Sequence, residues 1–281
     1  MPENDNGMKK LLQRILLLQL LLALSFASYA DWPIGKGRSS VIGAYNYFYS
    51  SKYFDSKGKL ATFGQGDQFQ SHFFGLTMLH GISRRLDLSV NLPFIIQDLV
   101  SGGIAKNNSG LGDISVGLAY HFPSENFQKH FTIKANMIVP AYENTKTPYI
   151  GYASKGIQGA MNYSFSPVKH SFCVIEGSYT HFLDTEDGPI QYRGAITFGK
   201  SLNKYSLLTF NFAHMDSKSS NTGFNINPSA TKNFFSGTLT ATYGRKITRT
   251  ITPYIQTFYT LYGSNVGLGM GASFFFIVKI P

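Results

Sequence analysis

Short stretches in which apolar residues alternate with small or polar ones recur along this chain. The clearest is residues 112–122, whose apolar side carries Ile114, Val116, Leu118, Tyr120 and Phe122. A period of two indicates a β-strand whose two faces meet different surroundings. The same pattern predicts twelve strands, at residues 39–50, 67–80, 86–96, 112–122, 130–140, 156–166, 171–182, 190–200, 205–214, 233–245, 251–262 and 266–279. Most have the ~9–11 residues that a tilted strand needs to cross a bilayer.

The connectors between these strands alternate in length. The short connectors are residues 81–85, 123–129, 166–170, 201–204 and 246–250. The longer ones are residues 51–66, 97–111, 141–155, 183–189 and 215–232, and only the short connector 263–265 breaks the alternation. Outer-membrane barrels have short periplasmic turns and long outer loops, whereas a β-sandwich has no reason to alternate. The sequence therefore predicts an all-β fold, an antiparallel transmembrane β-barrel of about twelve strands.

The N-terminus has the features of an export signal. Lys9, Lys10 and Arg14 precede an apolar core over residues 15–24, and Ser28 and Ala30 supply small residues before a cleavage point. We predict a signal peptide over residues 1–30, cleaved after Ala30, with residues 31–281 forming the barrel in the outer membrane of a Gram-negative cell. No later window approaches 18 uninterrupted apolar residues, which excludes an α-helical membrane protein.

Composition agrees with a sheet whose surface need not face water. Charged residues make up only 14% of the chain, below the usual ~25%. Aromatic residues are abundant, with 24 Phe and 17 Tyr. A secreted β-sandwich is the alternative that composition leaves open. The single cysteine, Cys173, excludes an intramolecular disulfide and is expected to be a small buried hydrophobe.

The net charge is +10, of which residues 1–30 contribute +1. The basic residues fall mostly in predicted turns, at Arg84, Arg85, Lys129, Lys169, Lys204, Arg245, Lys246 and Arg249. There is no Lys/Arg-rich run or nucleic-acid-binding signature, so no nucleic-acid partner is expected. The placement suits the phosphates of outer-membrane lipids and lipopolysaccharide at a membrane rim, although solvated turns that aid solubility explain it equally well.

Parity along each strand assigns the faces. In the third predicted strand, for example, Leu88 and Val90 point outward, against Asp87 and Ser89. Strands one, two and eleven stay ambiguous because both of their faces carry aromatic residues. A Lys or Arg that faces lipid at mid-bilayer costs about 2–4 kcal/mol, so charges should lie in the lumen or at the rims.

Parity places a set of polar residues inside the barrel, which are candidates for lining a solute path: Asp87, Asn91, Asp113, Lys134, Asn136, Glu176 and Arg193. Glu176, Arg193 and Lys134 are predicted to form a mixed network across the lumen that lines or gates this path. The alternative is that these charges simply pair and hold a narrow lumen together, because a twelve-stranded barrel lies between the filled eight-stranded and the open sixteen-stranded cases.

Three stretches resemble a known family. They are Trp32-Pro33 with the glycines that follow and Tyr53-Phe54-Asp55, then residues 81–94, and then Ser109–Ile114 leading to Tyr120. Together they are similar to the outer-membrane transporter family named for the meta-pathway of phenol degradation, which is related in role to barrels that take up aromatic hydrocarbons. The resemblance implies a channel for small, often hydrophobic, compounds.

Nothing in the sequence indicates an enzyme. The seven histidines are scattered, none lies in a nucleophile motif, and no spacing suggests a metal site or a cofactor. The nearest approach to an acid–base cluster is His181 with Asp184, Glu186 and Asp187, for which a solvated loop is the better interpretation.

The sequence thus favours a passive outer-membrane channel for small, hydrophobic or aromatic solutes. The rival hypotheses are a structural or adhesive barrel whose long loops bind partners, and an outer-membrane hydrolase. Other expected partners are outer-membrane lipids, lipopolysaccharide and the barrel assembly machinery. Many barrels end in an aromatic residue that this machinery uses, whereas this chain ends in Pro281 after Phe274–Phe276. Residues 31–38 could fold inward and plug the lumen.

Overall fold

The computed structural model describes residues 32–126, 128–183 and 187–280. The predicted signal peptide, residues 1–30, lies outside the described residues and stays a prediction, as do Asp184 and Glu186 of the predicted loop cluster. The described strands are β1 (Ser39–Ser50), β2 (Lys52–Phe54), β3 (Leu60–Thr62), β4 (Gln68–Gly81), β5 (Leu86–Ser101), β6 (Ile104–Leu111), β7 (Asp113–Pro123), β8 (Lys129–Pro140), β9 (Gly156–Phe165), β10 (Ser171–Phe182), β11 (Ile190–Ser201), β12 (Ser206–Lys218), β13 (Phe234–Arg245), β14 (Ile251–Ser264), β15 (Val266–Gly267) and β16 (Met270–Ile280). A single turn of 3₁₀ helix spans Pro228–Ala230. In the described residues we find no helix of the length and apolarity that crossing a bilayer requires.

Twelve of these strands close into one antiparallel barrel. Each pairs with its neighbour in the order β1, β4, β5, β7, β8, β9, β10, β11, β12, β13, β14 and β16. The barrel closes where β1 pairs with β16, from Ser39 opposite Ile280 to Tyr49 opposite Met270. The predicted fold and strand count are confirmed, and the strand limits 39–50 and 171–182 agree to the residue.

The barrel wall has the reverse polarity of a soluble protein. Large apolar side chains are exposed on its outer face, with Ile255 64% and Met161 58% accessible. Polar side chains are buried on its inner face, where Thr132 is 0% and Asn162 is 3% accessible. Because soluble proteins bury apolar residues, this distribution suits an outer face in lipid. The parity predicted for the third strand is confirmed, since Asp87 is buried inside the wall.

The connector predicted at residues 97–111 is a β-hairpin instead of a loop. Strand β5 continues to Ser101 and pairs with β6 from Phe94 opposite Leu111 to Ser101 opposite Ile104. Pairing with β6 sustains the strand through Gln97 and Asp98, beyond the length that the bilayer requires. Gly112 separates β6 from β7, and its N–H donates to the carbonyl of Pro93 at 2.9 Å.

The last predicted strand, 266–279, is wrong as one element. Val266 and Gly267 form β15, which pairs with β2 in a small three-stranded sheet with β3 at the long-loop end. Asn265 has φ 52°, a left-handed conformation that reverses the chain immediately before β15. The barrel strand β16 therefore starts only at Met270.

Candidate functional site

Toward the long-loop end, the lumen contains a row of side-chain hydrogen bonds across three strands. Asn136 on β8 donates through Nδ2 to Oε1 of Gln158 on β9 at 2.8 Å. Gln158 in turn donates through Nε2 to Oγ1 of Thr180 on β10 at 3.0 Å. These amides satisfy each other along the wall, as buried polar groups generally do. The row gives one side of the lumen a polar and fixed surface.

Beside this row, Arg193 on β11 and Glu176 on β10 form an ion pair. The two side chains are 32% and 29% accessible, so the pair is in contact with water in the lumen. Lys134 on β8 is opposite Ala160 on β9, and β8 lies three strands from β11, which carries Arg193. Of the predicted network of three charges, the structure joins Glu176 and Arg193, and it places Lys134 on the same polar side.

The other predicted site residues lie at different heights along the lumen. Asn91 accepts a hydrogen bond from Thr77 Oγ1 at 3.0 Å. Asp113 lies at the long-loop end and accepts from the hydroxyl of Tyr142 at 3.0 Å. Asp87 lies at the opposite end, where the short turns are. The seven residues therefore follow the whole length of a path and do not form one cluster.

The opposite side of the lumen is aromatic, which sequence reasoning missed. It is formed by inward side chains of β1, β4, β14 and β16, namely Phe48, Phe69, Phe73, Tyr254, Phe258 and Phe275. The ring centroids of Phe48 and Phe258 are 6.3 Å apart, and those of Tyr254 and Phe275 are 4.7 Å apart with nearly parallel planes. The sequence did contain a sign of this aromatic side, in the ambiguous faces of predicted strands one, two and eleven. A strand with aromatic residues on both faces must direct some of those rings into the lumen.

The N-terminal segment 32–38 folds into the short-turn end of the barrel. The Trp32 ring packs edge-on against the ring of His130 on β8, with centroids 3.8 Å apart. The N–H of Ile34 donates to Asp87 Oδ2 on β5 at 2.9 Å. His130 and Asp87 are both buried inside the wall. Residues 32–38, the described part of the predicted plug, therefore lie inside the lumen.

Two further contacts fix this segment. Oδ2 of Asp87 is also 3.0 Å from His121 Nε2, and His121 Nδ1 is 3.0 Å from Thr132 Oγ1. A Cβ on Gly81 would lie 2.0 Å from the carbonyl oxygen of Gly35. Gly81 therefore allows the close approach of two backbones at this point.

Across the lumen from this segment, a cavity of about 620 Å³ opens at the short-turn end. It lies between the β11–β12 turn, the β13–β14 turn and the end of β16. Its walls include Tyr254 and Ile277, and its rim includes Lys204, Lys246 and Arg249. The short-turn end is thus filled on one side and open on the other.

At the long-loop end, two loops bond to each other over the lumen. Tyr152 in the β8–β9 loop donates through its hydroxyl to the carbonyl of Thr231 in the β12–β13 loop at 3.1 Å. Gln97, an inward residue of β5, donates through Nε2 to Ser229 Oγ at 3.1 Å. The tip of the β12–β13 loop therefore reaches the inner wall and narrows the outer mouth.

Burial keeps the phenols of this loop layer neutral. It raises the pKa of Tyr152 to about 12, and the hydrogen bonds with Ser217 and Gln191 offset only part of the effect. Burial also raises the pKa of Tyr142, with a further contribution from the nearby Asp113 carboxylate. Both hydroxyls therefore stay protonated, and remain hydrogen-bond donors, to a higher pH than an exposed tyrosine would.

The remaining candidates for chemistry are separated. Among the described residues, no three His, Cys, Asp or Glu side chains come close enough to hold a metal ion. Asp187 of the predicted loop cluster forms an ion pair with Lys232 at 2.8 Å. Cys173 is only partly buried and pairs with Phe165 and Phe198 on the outer face of the wall. Cys173 is therefore less buried than expected, because the apolar face of this fold is the outer one.

The sequence matches the family described as "Putative MetA-pathway of phenol degradation" over residues 50–276. The chain belongs to this family. The match begins after Trp32-Pro33 and extends well into the second half of the chain, beyond the stretch Ser109–Ile114. No curated protein sequence matches the chain.

Several solved structures share the fold of this family member. An outer membrane channel from Pseudomonas putida F1 is similar with a TM-score of 0.74 and 12% identity, over 90% of this chain and 99% of the other. The KdgM porin in complex with oligogalacturonate has a TM-score of 0.52 and 7% identity, over 86% and 99%. The β domain of the Bordetella autotransporter BrkA has a TM-score of 0.52 and 10% identity, over 85% and 100%. Porins and an autotransporter domain share this fold, so the fold alone does not decide the function.

Proposed function

We propose that this protein is an outer-membrane channel for the passive uptake of small, hydrophobic or aromatic compounds. The observation that carries the proposal is the aromatic side of the lumen, formed by Phe48, Phe258, Tyr254 and their neighbours opposite a polar side. A wall that needed only to be filled or wetted would not require this division. Family membership supports the same function.

The aromatic side offers a moving solute a series of weak contacts. Aromatic rings attract one another by about 0.5–1.5 kcal/mol per pair beyond the burial of area. Contacts of this size, repeated along the wall, favour entry of an aromatic solute into the lumen but are too weak to retain it. Conduction requires binding sites of this kind, which are favourable but weak. No covalent step is required.

The predicted site residues have different roles in this proposal. Asn136, Lys134 and the Glu176–Arg193 pair line the polar side and turn the polar groups of a solute toward it. Asn91 lies on the same path. Asp87 holds the N-terminal segment, and Asp113 holds the loop layer through Tyr142.

The proposal includes a location and an orientation. A signal peptide cleaved after Ala30 exports the chain, and the barrel assembly machinery inserts it. The short turns lie in the periplasm and the long loops face outward, where lipopolysaccharide surrounds the barrel. The long loops bond to one another over the lumen, which favours a cover for a channel over a surface that binds partners.

The test is block of ionic current by an aromatic solute in planar lipid bilayers. Benzyl alcohol should reduce the current of the wild-type channel in a concentration-dependent way. Phe258→Ala should weaken this block severalfold, because the variant removes an inward ring. Tyr259→Ala is the matched control, since Tyr259 is adjacent but lies on the outer face, opposite Leu239 and Met270.

Two results would contradict the proposal. One is a wild-type protein that is folded and inserted but conducts no current. The other is a block that Phe258→Ala and Tyr259→Ala leave equally unchanged.

A further inference from the structure

The positive charge of this protein is concentrated at one end of the barrel. The short-turn end carries Arg84, Arg85, Lys204, Lys246, Arg249 and Lys279 among its basic residues. Against them, the described residues of that end include only Asp87 and Glu125 as carboxylates. At the long-loop end, lysines are matched by acids, as in the Lys232–Asp187 and Lys218–Asp216 pairs. The net charge of the barrel therefore arises at the short-turn end.

The cavity of about 620 Å³ lies within this basic end. Lys204, Lys246, Arg249 and Lys279 all line it, and no Asp or Glu is among its lining residues. The backbones that carry these cations are joined, because Lys246 N donates to Tyr205 O at 2.7 Å and Lys279 N donates to Thr250 O at 2.9 Å. Four cations thus surround one opening on segments that are tied together.

The aromatic side of the lumen leads directly to these cations. On β16 the successive inward residues toward the short-turn end are Phe275, Ile277 and Lys279. On β14 the inward residues in the same direction are Phe258, Gln256 and Tyr254, and Tyr254 lines both the aromatic side and the cavity. An apolar track therefore ends at a ring of positive charge.

The remainder of this end is occupied. Residues 32–38 fill the side formed by β5 and β8. The N–H of Ile34 donates to Asp87 on β5, and the ring of Trp32 packs against His130 on β8. A solute that leaves the lumen at the short-turn end therefore passes the side that carries Lys246 and Arg249.

From this arrangement we propose that the solute of the channel is a small aromatic anion, with a carboxylate or phenolate group on an apolar ring. The inference rests on the proposed function, a channel for small aromatic compounds, and assigns a negative charge to the solute. A neutral aromatic ring gains only a weak, short-range attraction from contact with an exposed cation, whereas an anion is drawn toward all four cations from a distance. The cations at the rim are exposed to water, which suits steering and release more than tight binding.

The position of the cations also separates this role from the binding of lipid headgroups. Tyr254, Ile277 and Lys279 face the lumen, on the opposite side of the wall from the lipid-facing Ile255 and Val278. A headgroup at the rim would meet the turn residues but not these inward ones.

The test compares two permeants on one charge-removal variant. Lys246→Gln combined with Arg249→Gln removes two rim cations. Lys57→Gln combined with Lys59→Gln removes the same charge from an exposed loop at the other end and is the matched control. Reversal potentials in a sodium benzoate gradient give the benzoate-to-sodium permeability ratio, and block of the current by benzyl alcohol reports the neutral ring.

The wild-type channel should prefer benzoate over sodium. The Lys246/Arg249 variant should lower the ratio severalfold at low salt and less at 1 M salt, where the screening length falls to about 3 Å. The control should keep the wild-type ratio, and benzyl alcohol should block all three proteins alike.

The outcomes separate the two proposals. If benzyl alcohol blocks but the benzoate ratio is unchanged by the rim variant, the anion inference is wrong and the channel proposal stands. If neither permeant has an effect on the wild type, both are wrong. If the rim variant changes only the retention of the barrel in vesicles that contain anionic lipid, the cations serve headgroups and the anion inference is wrong.

Discussion

The backbone N–H of Ile34 donates to the side-chain carboxylate of Asp87 at 2.9 Å, although 53 positions separate the two residues. The bond holds the N-terminal segment against the inner wall of the barrel. Since Trp32 is the only tryptophan of the chain, its fluorescence reports directly on this segment.

Gly81→Ala should displace the segment. The new Cβ would lie 2.0 Å from the backbone oxygen of Gly35, and a backbone contact cannot be relieved by a side-chain rotation. We expect red-shifted Trp32 emission, stronger quenching by acrylamide and a higher single-channel conductance. Gly177→Ala is the control, because a Cβ at Gly177 meets nothing within 4 Å. Unchanged quenching in Gly81→Ala would mean that the segment does not lie where Gly35 contacts Gly81.

The reversed polarity of the wall predicts opposite effects at adjacent positions of β13. Leu239 faces outward and is 43% accessible, whereas Thr240 faces the lumen opposite Asn211. Leu239→Arg should lower the free energy of unfolding by about 2–4 kcal/mol, the cost of a charge in mid-bilayer. Thr240→Arg should cost much less. Denaturant unfolding in phospholipid vesicles measures both, and equal losses would argue against a lipid-facing Leu239.

The Glu176–Arg193 pair predicts changes of ion selectivity with opposite signs. Arg193→Gln leaves the Glu176 carboxylate without its partner and should shift the channel toward cations. Glu176→Gln should shift it toward anions, and the double variant should lie near the wild type. Because the pair is about a third accessible, each change should alter stability by less than about 1 kcal/mol.

Reversal potentials in a potassium chloride gradient give these selectivities. Lys218→Gln, an exposed change at the long-loop end, should leave them unaltered. A common shift in both single variants would show that the pair does not line the path of the ions.

Alkaline pH should loosen the loop layer through Tyr152. Burial raises the pKa of Tyr152 to about 12 from an ordinary value of 10. The protonated phenol therefore stabilises the folded layer fully below pH 10, and this contribution is lost as the pH rises through about 12. The difference in absorbance at 295 nm between the wild type and Tyr152→Phe isolates this phenolate. A midpoint near pH 10 would mean that Tyr152 is open to water.

At neutral pH, Tyr152→Phe should itself weaken the layer. The variant removes the donor to Thr231 O and one acceptor for Gln191. A lost hydrogen bond of this kind costs about 0.5–1.5 kcal/mol. Faster proteolytic cleavage in the β8–β9 loop, with unchanged unfolding of the barrel, is the expected signature.

The strands of the barrel wall could be predicted from the sequence because each has one face in lipid and the other in the lumen. Alternation at positions such as Leu239 and Thr240 reports lipid on one side and lumen on the other. The long connectors could be located for the same reason, since alternation weakens there. The role of each candidate residue, from Asp87 to Arg193, is not tested by the fold and remains a prediction.

Alternation could not predict the features that depend on contacts across the lumen. The Trp32 segment has no period, and its position is decided by His130 and Asp87, which lie far along the chain. The aromatic side was hidden because Phe48 and Tyr47, as neighbours in one strand, present rings to opposite faces. The hairpin of β5 and β6 was missed because the apolar alternation stops at Gln97 and Asp98, although the strand continues beyond the bilayer.

The seam between β1 and β16 sets an order on folding. Ser39 pairs with Ile280, so the first and last strands meet only after the whole chain has been delivered. Only a short stretch of chain separates Trp32 from β1, and the barrel wall has no gap once the seam has formed. The segment that precedes β1 contacts β5 and β8, with which β1 itself does not pair, so it braces one edge of the seam against distant strands of the wall.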